Sequence, residues 1–411
     1  MARPPIEVRL AAAGLPALPR TAWLEIDLDA LAANLRLLGR LAGSGVPVRP
    51  VVKADAYGHG AVPIARALEA AGADGFCVAT MDEALELRAG GIECPILVLY
   101  PVPVAWAGDA ARDRIAVTAS DPILLDELLA AAAGLAAGPP IDVELEVETG
   151  LGRGGFAGPA VVDAAQRIAR APGCRLRGLW THLQAIEDPG GTGIQVDRFE
   201  AVVGAIVDAG IDLPPRHAAA SAALLVDGAA AYDGVRPGLA VYGLVPDELR
   251  EAGISSAISD RLRPVMSLVA RPVRVAELPA GWGISYGPTF RTARPSRIAT
   301  LPIGYADGWS RQLSNRATAI VRGRRVPLVG NVAMDAVMAD VTDVPGPPVG
   351  VADEFVLLGR DGDERITVAE LALERTTNSW EVVSGMARRL PRVYHAPAGP
   401  VGLRTLTERS R

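Results

Sequence analysis

From about residue 23 to residue 245, short runs of β-branched and other apolar residues alternate with longer stretches in which Ala, Leu and Arg recur at helical spacing. Strand candidates fall at 48–52, 75–79, 96–100, 115–118, 143–147, 176–182, 217–220 and 235–241. Between them, segments such as 61–71, 81–89, 123–133 and 160–171 carry helix formers with apolar residues three and four apart. Eight strand-then-helix units in succession predict an α/β fold, a closed (β/α)8 TIM-type barrel. An open doubly wound sheet would require a Gly-rich fingerprint after its first strand and an acidic residue about 20 positions further on. Lys53-Ala54-Asp55-Ala56-Tyr57, which follows the first strand candidate, is nothing of the kind.

Past residue 260 the pattern changes to strands without long helices between them. Apolar or alternating runs at 265–278, 298–303, 317–326, 337–341 and 355–358 are separated by Gly, Pro and Asp, and one long helix is expected over 368–386. The expected division is a barrel over 22–260 and a second, mostly β domain over 261–411, with the stretch 1–27 able to add a strand to either.

A chain of 411 residues exceeds the size at which one core keeps growing, which agrees with two domains. The net charge of −6, without a basic block, argues against nucleic acid as a partner. Cys77, Cys94 and Cys174 are too scattered for a disulfide framework or a zinc site. Prolines at 4, 5, 16 and 19 break up the first twenty residues, and no charged region followed by an apolar core is present there, so a cytoplasmic protein is expected. Ala-rich stretches such as 124–137 are too short to span a bilayer, and no membrane partner is expected. The four histidines have no ligand spacing, so no metal site is expected. His59 reads as an orienter beside Lys53, His217 as a packed strand residue and His395 as exposed.

Lys53 is the only lysine, and forty arginines supply every other basic side chain. Surface charge here does not call for lysine, so a retained one points to its chemistry. A primary amine can lose its proton, condense with an aldehyde and act as a base, whereas guanidinium stays protonated. In a barrel, active groups lie at the C-terminal ends of strands. Lys53 ends the first strand, Arg153 follows the fifth, His182 ends the sixth, Ser221 follows the seventh, and Arg236 and Gly238 fall at the eighth. Ser221-Ala222-Ala223 reads as an N-cap opening a helix, which would offer free backbone N–H groups to a phosphate. An imine-forming lysine and a phosphate cradle in one barrel mouth suggest pyridoxal 5′-phosphate.

The run Val52-Lys53-Ala54-Asp55-Ala56-Tyr57-Gly58-His59-Gly60 resembles the cofactor-lysine motif of the alanine racemases, fold type III pyridoxal-phosphate enzymes. Thr149-Gly150-Leu151-Gly152-Arg153, Ser285-Tyr286-Gly287, Gly304-Tyr305-Ala306-Asp307-Gly308 and Val332-Ala333-Met334-Asp335 resemble further motifs of that family, in the same order. The resemblance implies a racemase of L- and D-alanine that supplies D-alanine for cell-wall peptidoglycan. Lys53 would carry the cofactor as a Schiff base and serve one face of the substrate Cα. Tyr286, reaching in from the partner of a head-to-tail homodimer, would serve the other. Tyr57, Ser221, Gly238, Leu239 and Tyr305 match phosphate-region positions, Arg236 matches the residue facing the pyridine nitrogen, and His182 with Arg236 matches the network around Tyr286. Arg153 and Met334 match the substrate side.

Several positions depart from the family. Many relatives carry a carbamylated lysine beside the arginine equivalent to Arg153; this chain has Glu146 there, whose carboxylate is expected to imitate the carbamate. The alternative is an ordinary strand charge pointing outward with Glu144 and Glu148. Arg388 replaces a tyrosine near the site entrance, Ala220 replaces an asparagine before Ser221, and Asn331 and Ala333 replace an arginine and a cysteine ahead of Met334. Alanine is the expected substrate, with serine or another small amino acid open. A fold type III decarboxylase and a non-catalytic pyridoxal-phosphate carrier are the alternatives; the first lacks its HxGS and GGG motifs here, and the second lacks a domain carrying Tyr286.

Overall fold

The computed structural model describes residues 4–135, 138–226, 230–254 and 258–407. The chain divides into two compact units. One comprises Leu31–Ala56 and Ala61–Arg263; the other comprises the chain up to Ala30, Tyr57–Gly60, and everything from Pro264 onward.

In the first unit, Phe76–Val78, Ile96–Val98, Ile115–Ala119, Ile141–Glu146, Cys174–Trp180 and Arg216–His217 form a parallel ladder in chain order. Two bridged segments, without regular strand pairing, close the ring. Residues 48–51 bridge to Cys77 on one side and to Val235 on the other, and the Arg236 amide donates to the Ala219 carbonyl. Six of the eight expected strands form, several shorter than the apolar runs that announced them; the expected strands at 48–52 and 235–241 are reduced to isolated bridges, and Leu239–Tyr242 is a short 3-10 helix instead. Parallel barrel strands are covered on both faces, so apolar runs continue past the hydrogen-bonded ladder into the loops. The helices obey their sequence pattern more closely: Pro159–Arg170 buries Val161, Ala164, Ala165 and Ile168, the three-and-four spacing of one face. Asp121 caps Pro122–Gly134 through the amides of Ile123 and Leu124, with proline at the first helical position. The Ala-rich stretch 124–137 extends beyond this helix, and its residues 136–137 lie outside the described ones.

The second unit is built on an eleven-stranded sheet. Its strand Ala22–Asp27 pairs antiparallel with Met266–Ala270 and parallel with Arg392–Ala396, so the N-terminal strand belongs here and the barrel unit starts at Leu31 rather than at 22. Helix Ile6–Ala12 packs Ile6 and Leu10 against Trp23, Val269 and Val393 on this sheet. Tyr57–Gly60 also falls in this unit: Arg392 donates to the Gly58 carbonyl and the Tyr394 hydroxyl to that of His59. A side chain at Gly58 would meet the Val383 carbonyl at 2.2 Å, at a φ of +78°.

Three expected elements are divided. The run 265–278 is two strands, Met266–Ala270 and Arg274–Leu278, and 317–326 is a hairpin whose turn places Arg322 and Gly323 at positive φ. The long helix expected over 368–386 is two helices, Val368–Arg375 and Ser379–Ser384. Thr376 adopts left-handed backbone (φ 55°, ψ 50°), which ends the first, and the Asn378 side chain accepts from the Glu381 amide to open the second. His395, expected exposed, is half-buried with its Nε2 3.8 Å from Glu25.

Candidate active site

In the barrel unit the residue that opens the site is also the one after which the backbone turns the unusual way. Lys53 follows the first strand, and Ala54, Asp55, Ala56 and Tyr57 all have φ between 52° and 57°, one turn of left-handed helix. For L-residues each such position costs roughly 1–2 kcal/mol, so the turn persists only because its surroundings hold it. The Ala54 amide donates to Glu83 Oε1 (2.6 Å), the Ala56 amide to the Val52 carbonyl (2.9 Å), and the Ala61 amide to Asp55 Oδ1 (2.9 Å). Glu83 spans the loop, since its other oxygen accepts from the Ala79 amide at 2.8 Å. The Lys53 amine is half-buried, and burial together with the charge of Arg153 lowers its pKa, against the opposing pull of Glu83. That shift raises the fraction of free amine, the form that reacts with aldehydes.

The loop 149–153 is fastened at both ends. Glu148 accepts from the amides of Gly150, Gly152 and Arg153, and Arg198 donates to the Thr149 carbonyl at 2.8 Å. The Arg153 guanidinium so presented lies 5.6 Å from the Tyr100 ring centroid, with Nη2 3.7 Å from Glu146 Oε1. Glu146 is 6% exposed and Glu144 1%, so neither is an outward strand charge; they share the inner parity of their strand. Burial pushes the Glu146 carboxyl up from its usual range, with Arg153 and Arg236 pulling it back.

Arg236 is buried, with Nη1 donating to the His217 carbonyl (2.9 Å) and Nη2 to the Thr181 carbonyl (2.8 Å). Its plane lies over Trp180 at 4.9 Å, and Nη1 also meets His217 Nδ1. Burial lowers its pKa to about 10, so it stays protonated at neutral pH. His182 is pushed down to about 3 by burial and by the charges of Arg236, Arg153 and Lys53, and its imidazole is neutral there. Ser221 does not cap its own helix as expected: it lies inside Ser221–Val226, and its Oγ accepts from the amides of Gly238 (2.9 Å) and Ala240 (3.1 Å). The hydroxyl thus ties the seventh-strand loop to the eighth. Leu239 is buried between those two amides.

The second unit gathers the other expected residues separately. Tyr286, Tyr305 and Met334 are 78%, 43% and 52% exposed and line one groove of about 660 Å³ together with Arg274, Trp282 and Arg311. Tyr286 sits at the tip of the hairpin Gly283–Ile284 and Phe290–Arg291, where Ser285 and Gly287 both adopt positive φ. Gly304 makes the floor of the groove possible, since a side chain there would meet the Ala333 carbonyl at 2.2 Å. The Tyr305 amide donates to that carbonyl (3.1 Å) and the Ala306 amide to Met334 O (3.1 Å). Asp307, fully buried, accepts from Arg20, Arg389 and the Gly304 amide, and Arg389 reaches on to Asp335 at 2.6 Å. Arg388 beside it is exposed.

Sequence reading missed Glu83, Glu144, Arg49 and the fastening role of Glu148. Only the Glu144/Glu146/Glu148 run carried a signal, three carboxylates at every second position of a strand that ends at the arginine loop. Among the described residues, no cluster of His, Cys, Asp and Glu is arranged to hold a metal, and no helix is long and apolar enough to cross a membrane.

Comparison with known proteins places this architecture. The family description "Alanine racemase, N-terminal domain" matches residues 26–246, and "Alanine racemase, C-terminal domain" matches 265–394. The alanine racemase of Symbiobacterium thermophilum is 43% identical over 377 residues, covering 91% of this chain and 97% of that protein. The alanine racemase 2 of Caldanaerobacter subterraneus is 39% identical over 381 residues, covering 91% and 95%. Among solved structures, Bacillus anthracis alanine racemase with bound L-Ala-P superposes with a TM-score of 0.88 at 33% identity, covering 95% of this chain and 99% of that one. The alanine racemase of a D-cycloserine-producing Streptomyces lavendulae gives 0.83 at 37% identity, covering 92% and 98%. A parallel barrel whose sole lysine ends the first strand, followed by a β domain and matched along both parts, establishes that the chain belongs to the alanine racemase family.

Proposed function

We propose that this protein interconverts L- and D-alanine with pyridoxal 5′-phosphate as cofactor, through two bases, Lys53 and Tyr286, on opposite faces of the substrate. The observation that carries the reading is the Lys53 amine, half-buried and close enough to the Arg153 charge that its pKa is lowered, in a chain of this family. The residues present fit the cofactor. A reactive amine, a buried arginine that cannot accept a proton, and a pair of loops tied together through the Ser221 hydroxyl suit an aldehyde, a ring nitrogen and a phosphate respectively.

When bound, pyridoxal 5′-phosphate supplies an electron-withdrawing ring that acidifies the substrate α C–H. Lys53 would hold the cofactor and, once displaced by substrate, take or return a proton at Cα on one face. Tyr286 of a second copy would do so on the other, which makes a head-to-tail homodimer part of the proposal. Tyr57, Ser221, Gly238, Leu239 and Tyr305 would hold the phosphate. Arg236 stays protonated, disfavours a proton on the ring nitrogen it would face, and so keeps the electron sink weak, which favours plain proton exchange over transamination. His182 with Arg236 would supply the polar surroundings that a tyrosine base requires.

Arg153 would clamp the substrate carboxylate, a planar anion suited to guanidinium, with the Met334 amide on the other side. Glu146, buried within reach of Arg153, would orient that guanidinium in place of a carbamate, without CO2. Supply of D-alanine for the cell wall, from the cytoplasm, is the role such a reaction would serve.

The deciding experiment loads the protein with pyridoxal 5′-phosphate and follows L-alanine by chiral chromatography. D-alanine is expected. CO2 release would point to a decarboxylase, and unchanged alanine to a carrier. A panel of L-amino acids in the same assay separates alanine from serine and other small substrates.

A further inference from the structure

Behind Arg236 the barrel holds a row of side chains that no step above uses. Glu144, 1% exposed, has Oε2 at 2.6 Å from His217 Nε2 and Oε1 at 3.0 Å from Arg49 Nη1. His217, 2% exposed, turns Nδ1 to Nη1 of Arg236. A neutral imidazole donates from one nitrogen only, and arginine can never accept. Nδ1 must therefore offer its lone pair to Arg236, and the ring proton sits on Nε2, where it meets a carboxylate that only accepts. Every junction from Arg49 to Arg236 then has a single polarity. The neighbouring strand leaves room for this arrangement: a Cβ at Gly178 would lie 2.7 Å from Glu144 Cδ and 2.8 Å from its Oε2. His217 in turn takes Arg236 through both its ring and its carbonyl, so two of the guanidinium's directions are set by this one residue.

We propose that Glu144 is a positioning residue for Arg236, acting by fixing His217 as the Nε2–H tautomer. The proposal rests on the reading of Arg236 as the group facing the cofactor's ring nitrogen. Two donors, Arg49 and His217, converge on Glu144, and a carboxylate serves both. Glutamine offers one oxygen and one NH2. Arg49 has no alternative to the oxygen, so in Glu144→Gln the NH2 faces His217, drives its proton to Nδ1, and sets that N–H against Arg236.

The test labels the four histidines with 15N and reads ring-nitrogen shifts in the cofactor-loaded protein, alongside racemisation kinetics. Wild type should show His217 protonated at Nε2. Glu144→Gln should show it protonated at Nδ1, with kcat for alanine lowered roughly 10- to 100-fold and KM changed by less than about twofold, the signature of a displaced group and not of lost substrate binding. The double variant Glu144→Gln/Arg49→Met frees the amide oxygen for His217 and should restore both the Nε2–H signal and most of kcat. A merely structural role would instead compound the two losses. If Glu144→Gln does not fold, Gly178→Ala displaces the carboxylate without changing charge and should lower kcat in the same way. An Nδ1–H signal in wild type, or a tautomer switch in Glu144→Gln without loss of kcat, overturns the proposal. A loaded wild-type protein that shows Nε2–H but leaves alanine unchanged overturns the functional reading instead.

Discussion

Asn331 holds Tyr286 by its backbone: its Nδ2 donates to the Tyr286 carbonyl at 2.8 Å and to that of Gly287 at 3.1 Å. The hold is reciprocal, because Ser285 donates to the Asn331 carbonyl at 2.6 Å and Thr289 to its Oδ1 at 3.2 Å. Asn331 is thus the staple of the exposed hairpin. Three side-chain hydrogen bonds of up to about 1 kcal/mol each are at stake on an exposed hairpin, so Asn331→Ala should lower kcat roughly 10-fold, with cofactor content near wild type. Steady-state kinetics beside the visible absorbance of the bound cofactor checks this. Unchanged kcat would mean that the hairpin does not need the staple.

Tyr286→Phe removes one of two bases and keeps the ring. Racemisation should fall by about 100-fold or more in both directions, the scale of a lost general base. Exchange of the α-proton in D2O should persist for one enantiomer, the one whose hydrogen faces Lys53. Equal wash-in for both enantiomers, followed by mass spectrometry, would count against two bases on opposite faces.

Glu146→Gln leaves Arg153 with a neutral neighbour. A charge-assisted contact is worth roughly 1.5–3 kcal/mol when well made, and at 3.7 Å the lower end applies, so KM for alanine should rise about 10-fold. Added bicarbonate should change nothing in the wild type, because the chain has no second lysine to carbamylate. If affinity and turnover survive the substitution, Glu146 is not the substitute for a carbamate.

Acid should weaken the barrel through its histidines. His182 and His217 have folded pKa values of about 3 and about 4, below the ordinary 6.5. Between 6.5 and those values the unfolded chain binds protons that the fold refuses, so stability is fully present above 6.5 and falls as pH drops through that window. Glu144, held at about 2 despite its burial, adds a loss only at lower pH, below the ordinary 4.5. Thermal midpoints measured from pH 8 to pH 4 should decline below about 6.5, and His182→Gln should flatten part of that slope. A midpoint that stays flat to pH 5 in the wild type would show that these rings are charged in the fold.

The barrel was readable because helical period and strand order are written locally. Pro159–Arg170 declares its buried face at 161, 164, 165 and 168 without help from the rest of the chain. The division of 368–386 was less accessible, since Thr376-Thr377-Asn378-Ser379 interrupts a pattern whose apolar spacing otherwise continues; only the cap chemistry of Asn378 marked the break. Glu144 was missed for a different reason. Alternation along a strand says that 144 and 146 share a face, but not whether that face is wet, and in a closed barrel the partners that make it habitable, Arg49 and His217, come from strands far away in sequence. Lys53 was marked by composition and by the residues that follow it, whereas the left-handed backbone around it was not.

The turn that follows Lys53 has a last implication. Glycine would adopt its left-handed angles without penalty, yet Ala54, Asp55, Ala56 and Tyr57 occupy it. Each β-carbon removes backbone freedom, so the loop has few neighbouring shapes into which it can relax. The stem of the amine is therefore launched on one bearing, and aim here is kept by forbidding the alternatives.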